Sequence, residues 1–187
     1  TNSHLVKVQS SPLSTQPKYL LQGGIHRRTE SAILEGTKKL ISQFGISNVS
    51  MIEIADASEV SRATLYNHYR DKNAVLLALL AAEVERLVEL AQRAGTPADA
   101  LESLSREVST DSALAAMRTH DGQILIAVMS HSENPLYLTL AQCIYGAIKS
   151  EAGTGVAMRW LLGQVMQPIT PKQSREQAEL LVDRTLF

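Results

Sequence analysis

Residues 50–72 read SMIEIADASEVSRATLYNHYRDK, and this stretch decides the fold of the chain. Ser50 stands three residues before Glu53, the spacing at which a hydroxyl and a carboxylate cap a new helix reciprocally. This spacing predicts a brief helix over about 51–57. After a tight turn, a second capping serine predicts another short helix over about 62–69. The two helices and the turn between them form a helix-turn-helix arrangement.

A supporting helix precedes this pair. From Thr29 onwards, apolar side chains recur at three- and four-residue steps, and Gly45 follows Phe44 as a left-handed helix stop. Residues 1–26 show no such period and contain the pair Gly23-Gly24, which predicts a flexible tail. The basic side chains of this region could instead form an arm that follows the DNA backbone or minor groove; they are Lys7, Lys18, His26, Arg27 and Arg28.

The second helix of the pair has the composition of a DNA-reading helix. Leu65 and Tyr69, one turn apart, predict an apolar inner face that fixes the angle of the helix. Arg62 suits a bidentate pair with guanine, and Thr64 suits a thymine methyl group or a base acceptor. Ala63 is small enough to let the backbone approach the base edges.

Other polar side chains near this helix suit the DNA backbone. Tyr66, His68 and Lys72 are predicted to contact phosphate oxygens, and Asn67 completes the outward face. Ser50 could add a phosphate contact through its hydroxyl and the exposed amides of its helix end, or it could serve as a cap alone. Each of these residues taken singly could also be an ordinary solvated side chain, so the prediction rests on their arrangement.

Composition and charge agree with a helical globular protein that meets a polyanion at one end. The chain has 187 residues, of which 44% are hydrophobic, 20% charged and 4% aromatic. Residues 1–72 carry 9 Lys/Arg against 6 Asp/Glu, and the remainder carries 9 against 13. A basic end beside an acidic end is compatible with DNA binding, although solvated faces often differ by this much.

Several classes of protein find no support in the sequence. No stretch approaches the roughly 20 apolar residues of a membrane-spanning helix, and the first segment lacks the apolar centre of a secretory signal. We therefore expect a soluble, cytoplasmic protein. The single Cys143 is expected to be a core residue. Nucleophile motifs, phosphate loops and dinucleotide fingerprints are missing from the sequence, so we expect neither an enzyme nor a cofactor.

The remaining two thirds of the chain predicts further helices that could enclose a ligand. A fourth helix is predicted from about Lys72 to Arg93; later ones follow near Ala98–Ser109, Ser112–His131, Pro135–Glu151, Thr154–Gln167 and Gln173–Leu186. The pair Asp121-Gly122 could split the second of these later helices. Polar side chains among apolar ones predict an effector pocket, although a bundle with a wet outer face has the same pattern. The candidate lining residues are Met117, Arg118, His120, Leu125, Met129, Tyr137, Gln142 and Tyr145. His120 and His131 could share a helix face, but the sequence around them has no compact set of metal ligands, so we expect no metal site.

Three segments resemble the DNA-binding signature of a known family, the TetR-type (tetracycline-repressor-like) regulators. They are Ile54–Ala57, Val60–Tyr69 and Asp71-Lys72, and the resemblance extends over about residues 27–77. Glu59 departs from the pattern, because this position in the turn usually has Gly. Since a glycine there relieves a left-handed backbone, we expect Glu59 to accept strain on the order of 1 kcal/mol, or the turn to differ slightly.

The resemblance implies an all-α homodimer with an N-terminal tri-helical helix-turn-helix domain and a C-terminal helical bundle for ligand binding and dimerisation. We expect a tail at 1–26, the DNA-binding domain at 27–72 and the effector and dimerisation domain at 73–187. Family members touch DNA at positions equivalent to Ser50, Arg62, Ala63, Thr64, Tyr66, Asn67, His68 and Lys72. The last two helices should pair with their copies, with interface candidates Trp160, Leu161, Gln164, Leu181 and Arg184; Trp160 could equally be a core residue.

These expectations combine into one hypothesis with two alternatives. A repressor would leave a palindromic operator when a small, largely apolar effector binds and shifts the fourth helix. Alternatively, Glu59 and the near-neutral total charge would suit a small-molecule binding protein or enzyme with a vestigial DNA-binding half. An architectural DNA protein is the third class, but the small net charge of the N-terminal segment favours specific contacts over bulk coating.

Overall fold

A computed structural model describes residues 18–131 and 133–183 of the chain, with side chains from residue 22 onwards. These residues form helices joined by short turns, and they contain no strand. The helices are α1 (Lys18–Phe44), α2 (Met51–Ala57), α3 (Arg62–His68), α4 (Lys72–Gln92), α5 (Pro97–Thr110), α6 (Ser112–His120), α7 (Gly122–Met129), α8 (Pro135–Ile148), α9 (Glu151–Met166) and α10 (Pro171–Val182). The predicted all-α fold is confirmed, and so is the break at Asp121-Gly122.

The first helix begins earlier than the sequence predicted. Residues 18–26 are helical, so the expected flexible tail is wrong for them, whereas residues 1–17 lie outside the described residues. A glycine within a helix costs about 1 kcal/mol relative to alanine, which is why Gly23-Gly24 suggested a break. Here the ring of His26 stacks on His68 with centroids 4.2 Å apart, and this tertiary contact favours the longer helix.

Local caps explain where the last helices begin. The side chain of Ser150 accepts a hydrogen bond from the amide of Gly153 at 3.1 Å, so α9 starts at Glu151 and not at the predicted Thr154. A capping box at Thr170 starts α10 two residues before the predicted Gln173. Both helices therefore gain part of a turn.

Two apolar clusters form the core. The first joins α1 to α4 with α6 and α7, and it includes Ile33, Ile54 and Leu65, all fully buried. The second joins α5, α8, α9 and α10, with the end of α4, around Leu104 and Ile144. Because α6 and α7 pack on the N-terminal cluster, the helix-turn-helix rests directly on the remainder of the chain; the division at residue 72 stays a prediction.

Candidate nucleic-acid interface

Ser50 and Glu53 form the predicted capping box at the start of α2. The amide of Glu53 donates to Ser50 Oγ at 3.3 Å, and the amide of Ser50 donates to Glu53 Oε2 at 2.8 Å. The Ser50 hydroxyl also donates to Glu53 Oε2 at 2.7 Å. The hydrogen bond from this hydroxyl, followed by the one from the Ser50 amide, lowers the pKa of Glu53. The hydroxyl proposed for a phosphate contact therefore already has a partner, so the predicted capping role of Ser50 is confirmed.

The turn after α2 is a Schellman motif with a charged residue at its left-handed position. The amide of Glu59 donates to the carbonyl of Asp56 at 3.2 Å, and the amide of Val60 donates to the carbonyl of Ala55 at 3.1 Å. Glu59 has φ +55°, the conformation for which glycine is favoured. The predicted left-handed backbone at Glu59 is confirmed.

The inner face of α3 is fixed to the first core cluster as predicted. Leu65 is fully buried and Tyr69 is 8% exposed. The Tyr69 hydroxyl donates to Glu30 Oε1 at 3.2 Å, which ties the end of α3 to α1. Burial, followed by the charge of Glu30 and this hydrogen bond, raises the pKa of Tyr69 to about 12. The angle between α3 and α1 is therefore set by one apolar and one polar anchor.

The outer face of α3 offers small and polar side chains to solvent. Arg62, Ala63, Tyr66 and Asn67 are exposed. Thr64 is half-buried, and its Oγ1 lies 2.8 Å from Ser61 Oγ, the atom that caps the helix. The structure thus brings the predicted base-reading residues together on one open surface, and their contacts with DNA remain predictions.

His68 occupies the end of this surface beside α1. Its ring stacks on that of His26 with an interplanar angle of 18°. Burial, and then the charge of His26, lower the pKa of His68, whereas Glu30 raises it. His26 was considered only as part of a basic arm, so sequence reasoning missed this pairing. No local signal in the sequence links the two histidines, because their contact joins α1 to α3.

Lys72 occupies a different place from the one predicted. Its Nζ donates to the carbonyls of Ile46 at 3.1 Å and Val49 at 2.8 Å. Its ammonium therefore holds the loop between α1 and α2 and does not project as a free phosphate ligand. This loop carries the start of α2, so Lys72 supports the interface from behind.

Asp121 is a residue of the interface region that sequence reasoning read only as part of a turn. It is 3% exposed, and its carboxylate accepts hydrogen bonds from the amides of Ile46 at 2.6 Å and Ser47 at 3.0 Å, and from the Ser47 hydroxyl. Burial acts to raise the pKa of Asp121, but these donors outweigh it and lower the pKa below its usual value. Gly45, at φ +75°, lies against the carboxylate, since a Cβ there would come 2.4 Å from Asp121 Oδ2.

The eight predicted pocket residues lie in several different surroundings. Met117 and Leu125 belong to the first core cluster, and Arg118 donates through Nη1 to the carbonyl of Val165 at 2.8 Å. His120 is exposed and touches the position a Gly45 side chain would occupy. These four residues lie where α6 and α7 meet the first core cluster, the end of α9 and Gly45, and their pocket role stays a prediction. Met129 is half-buried, Tyr145 is 46% exposed, and Tyr137 packs on the second cluster.

An open cleft of about 410 Å³ lies elsewhere, between the α4–α5 connection and α8. Gln142 is the predicted pocket residue found in it. Small or apolar residues form most of the wall, among them Ala91, Ala94, Pro97, Ala100, Cys143 and Gly146. Burial raises the pKa of the Cys143 thiol, which therefore stays neutral. Cys143 was expected to be a core residue, but it is only half-buried and lies at the wall of this cleft.

Three of the predicted interface residues face the interior of this chain. Leu161 and Leu181 lie in the second core cluster, and Gln164 is 2% exposed. Gln164 Oε1 accepts from the hydroxyls of Ser105 at 2.6 Å and Ser109 at 2.9 Å. These three side chains are therefore not available to a second copy. Trp160 is half-buried and its indole donates to Gln177, whereas Arg184 lies outside the described residues.

In the ranges that the structure covers, no three histidine, cysteine or acidic side chains come together as metal ligands. None of the helices described is long and apolar enough to cross a membrane.

Residues 33–79 match the sequence family described as bacterial regulatory proteins, tetR family. A stretch of 63 residues is 30% identical to the HTH-type transcriptional repressor Rv1474c of Mycobacterium tuberculosis (strain ATCC 25618 / H37Rv). It covers 34% of this chain and 34% of that relative, so the match spans well under two thirds of the relative's length.

Solved structures share the fold at lower identity. The TetR family repressor AlkX from Dietzia sp. strain DQ12-45-1b gives a TM-score of 0.60 at 17% identity, over 80% of this chain and 93% of that chain. The dihydroxyacetone kinase operon activator DhaS gives 0.62 at 12% identity, over 85% and 97%. Residues 33–79 are therefore similar to the DNA-binding domain of tetR family regulators, and the chain shares its helical fold with these solved structures.

Proposed function

We propose that the chain is a repressor that binds a palindromic operator through α3 and leaves it when a small, largely apolar effector binds. The observation that carries this proposal is the outer face of α3, where Arg62, Ala63, Tyr66 and Asn67 are exposed above a buried Leu65. Exposed polar side chains on a rigidly anchored helix are what reading of base edges in the major groove requires.

Repression is favoured over activation because, of two similar proteins with named roles, the one with the higher sequence identity is a repressor. Rv1474c is named a repressor and aligns with this chain at 30% identity over 63 residues. DhaS is named an operon activator, but it shares 12% identity with this chain. A promoter fusion carrying the operator, with and without the regulator gene, distinguishes the two, because repression requires expression to rise when the regulator is deleted.

The palindrome follows from a dimer, for which the outer faces of α9 and α10 are the candidates. Val156 on α9 is 45% exposed and Leu180 on α10 is 57% exposed, while Trp160 is half-buried beside them. Two copies joined through these faces would present two α3 helices to half-sites about 34–36 Å apart. These residues replace the buried Leu161 and Leu181 as interface candidates.

The cleft beside α8 is the candidate effector site. Its small, mostly apolar wall suits a small apolar compound, and AlkX, which shares the fold, is implicated in the biodegradation of n-alkanes. Gly146 lines the cleft, and a Cβ added there would meet no atom within 4 Å, so Gly146→Phe is expected to extend its ring into the cleft without disturbing α8. Gly146→Ala is the matched control.

This effector site can be tested with a panel of small apolar compounds, linear alkanes included. The expected result is that a compound releases the operator from the wild type and from Gly146→Ala, but not from Gly146→Phe. Release from all three proteins would contradict the position of the site.

The DNA-binding proposal is tested by selecting duplexes from a random library on the purified full chain. The expected result is a symmetric site whose affinity falls steeply with salt, because each neutralised phosphate releases condensed counterions. Failure to enrich any site at low salt, with the protein folded, would contradict the proposal and favour the alternative of a vestigial DNA-binding half.

A further inference from the structure

Asp121 lies in the break between α6 and α7, and its carboxylate does not serve either helix. It occupies the N-cap position of α7 yet makes no side-chain capping bond there. Asp71 and Asp111, by comparison, each accept a hydrogen bond at 2.8 Å from the first turn of their own helix. A carboxylate that is 3% exposed needs partners to offset the loss of hydration.

All the hydrogen bonds recorded for this carboxylate come from the loop between α1 and α2. The donors are the amides of Ile46 and Ser47 and the hydroxyl of Ser47, more than 70 residues away along the chain. The two oxygens divide these donors, since Oδ2 accepts from Ile46 and Oδ1 accepts from Ser47. These hydrogen bonds therefore fix the loop relative to Asp121.

The same loop is held from its other side by the ammonium of Lys72, which binds the carbonyls of Ile46 and Val49. An anion from the α6–α7 break and a cation from α4 thus bracket the segment that leads into α2. Gly45 permits this close approach, because it has no side chain to meet Oδ2.

The α6–α7 segment also contacts the far half of the chain. Arg118 on α6 donates to the carbonyl of Val165 near the end of α9. Leu125 on α7 and the partly buried Val165 both pack in the first core cluster. A displacement of α6 relative to α1 would therefore change the contact with α9 and the contact with the loop together.

We propose that Asp121 is a positioning residue for DNA reading, which fixes the loop at 45–48 and so makes the aim of α2 and α3 depend on the position of α6. This inference rests on the proposed function. Loss of the carboxylate should leave the electrostatic attraction to any DNA in place, because the cations of the interface remain. Discrimination between the operator and other DNA should fall, because α3 no longer holds one orientation.

The test uses Asp121→Asn and Ser47→Ala in the full chain, with Asp111→Asn as the matched control. Asp111 caps α6 and forms a salt bridge of 2.9 Å with Lys38 on α1, but it makes no hydrogen bond with the loop. Two quantities are measured. One is amide hydrogen exchange at Ile46 and Ser47, and the other is the affinity ratio between the duplex selected on the wild type and a scrambled duplex.

We expect Asp121→Asn to speed exchange of both amides at least tenfold and to lower the affinity ratio at least tenfold, with Asp111→Asn unchanged. A residue that acted only on global stability would weaken both duplexes equally, so an unchanged ratio in folded Asp121→Asn overturns the inference. If Asp121→Asn does not fold, Ser47→Ala decides, since at least a twofold fall in its ratio supports the inference and no fall overturns it. A wild type without preference for any duplex would instead remove the proposed function.

Discussion

Replacing Glu59 by glycine should stabilise the protein, because Glu59 has φ +55° in the turn before α3. A left-handed conformation costs an L-residue about 1–2 kcal/mol, and glycine adopts it freely. Glycine also loses more conformational entropy on folding, at a cost of roughly 0.5–1 kcal/mol. The difference predicts a gain of about 0.5–1 kcal/mol for Glu59→Gly, which corresponds to a rise of roughly 1–4 °C in Tm for a chain of this size.

Two further variants separate the backbone effect from the effect of charge. Glu59→Gln removes the carboxylate and keeps the side chain, so its Tm should stay near that of the wild type. Lys149→Gly is the matched backbone control, because Lys149 has φ +59° at the end of α8, far from the turn in sequence. Its gain should resemble that of Glu59→Gly.

Thermal unfolding followed by circular dichroism at 222 nm measures all three variants under one set of conditions. A Glu59→Gly protein no more stable than the wild type, alongside a stabilised Lys149→Gly protein, would contradict this prediction. That result would mean that the turn carries no left-handed strain at Glu59.

Three further predictions concern packing, protonation and assembly. Gly45→Ala should destabilise the chain by roughly 2–4 kcal/mol in urea unfolding, since the added Cβ would clash with Asp121 and strain the left-handed backbone. Gly122→Ala is the control and should not destabilise the chain, because nothing lies within 4 Å of the added Cβ. The folded state lowers the pKa of His68, so the contribution of His68 to stability is present above the unfolded pKa of about 6.5 and is lost as pH falls. His68→Gln should therefore flatten the decline in the free energy of unfolding between pH 7.5 and 5.5. An equal decline in the variant and the wild type would contradict the lowered pKa. Leu180→Glu should dissociate the proposed dimer in sedimentation velocity, whereas Leu77→Glu, at a similarly exposed position of α4, should not. Dimers of both variants would contradict an interface at Leu180.

Features set by short-range chemistry could be predicted from the sequence. The spacing of Ser50 and Glu53 is sufficient for a capping box, because both partners lie within one helical turn. The left-handed backbone at Glu59 likewise follows from the local geometry of the turn in a helix-turn-helix. The family motif then supplied the relation between these local elements.

Features set by distant contacts could not be predicted. Helical periodicity shows that Leu161 and Gln164 share a face of α9, but it does not show whether that face meets α5 or a second copy. The partners of Asp121 lie more than 70 residues away, and the pair Asp121-Gly122 signals only a turn. Similarly, the stacking of His26 on His68 joins two residues that are far apart in the chain.

The central claim is that α3 reads DNA, and the effect of Arg62→Ala on discrimination tests it most directly. Affinities for the selected duplex and a scrambled duplex would be measured by fluorescence anisotropy, with Arg93→Ala as the control because Arg93 is also an exposed arginine and lies at the far end of α4. Loss of a bidentate contact to guanine should cost about 1–3 kcal/mol and relax selectivity at one base pair. We predict that loss for Arg62→Ala and none for Arg93→Ala. An Arg62→Ala protein with wild-type affinity and selectivity would contradict the account.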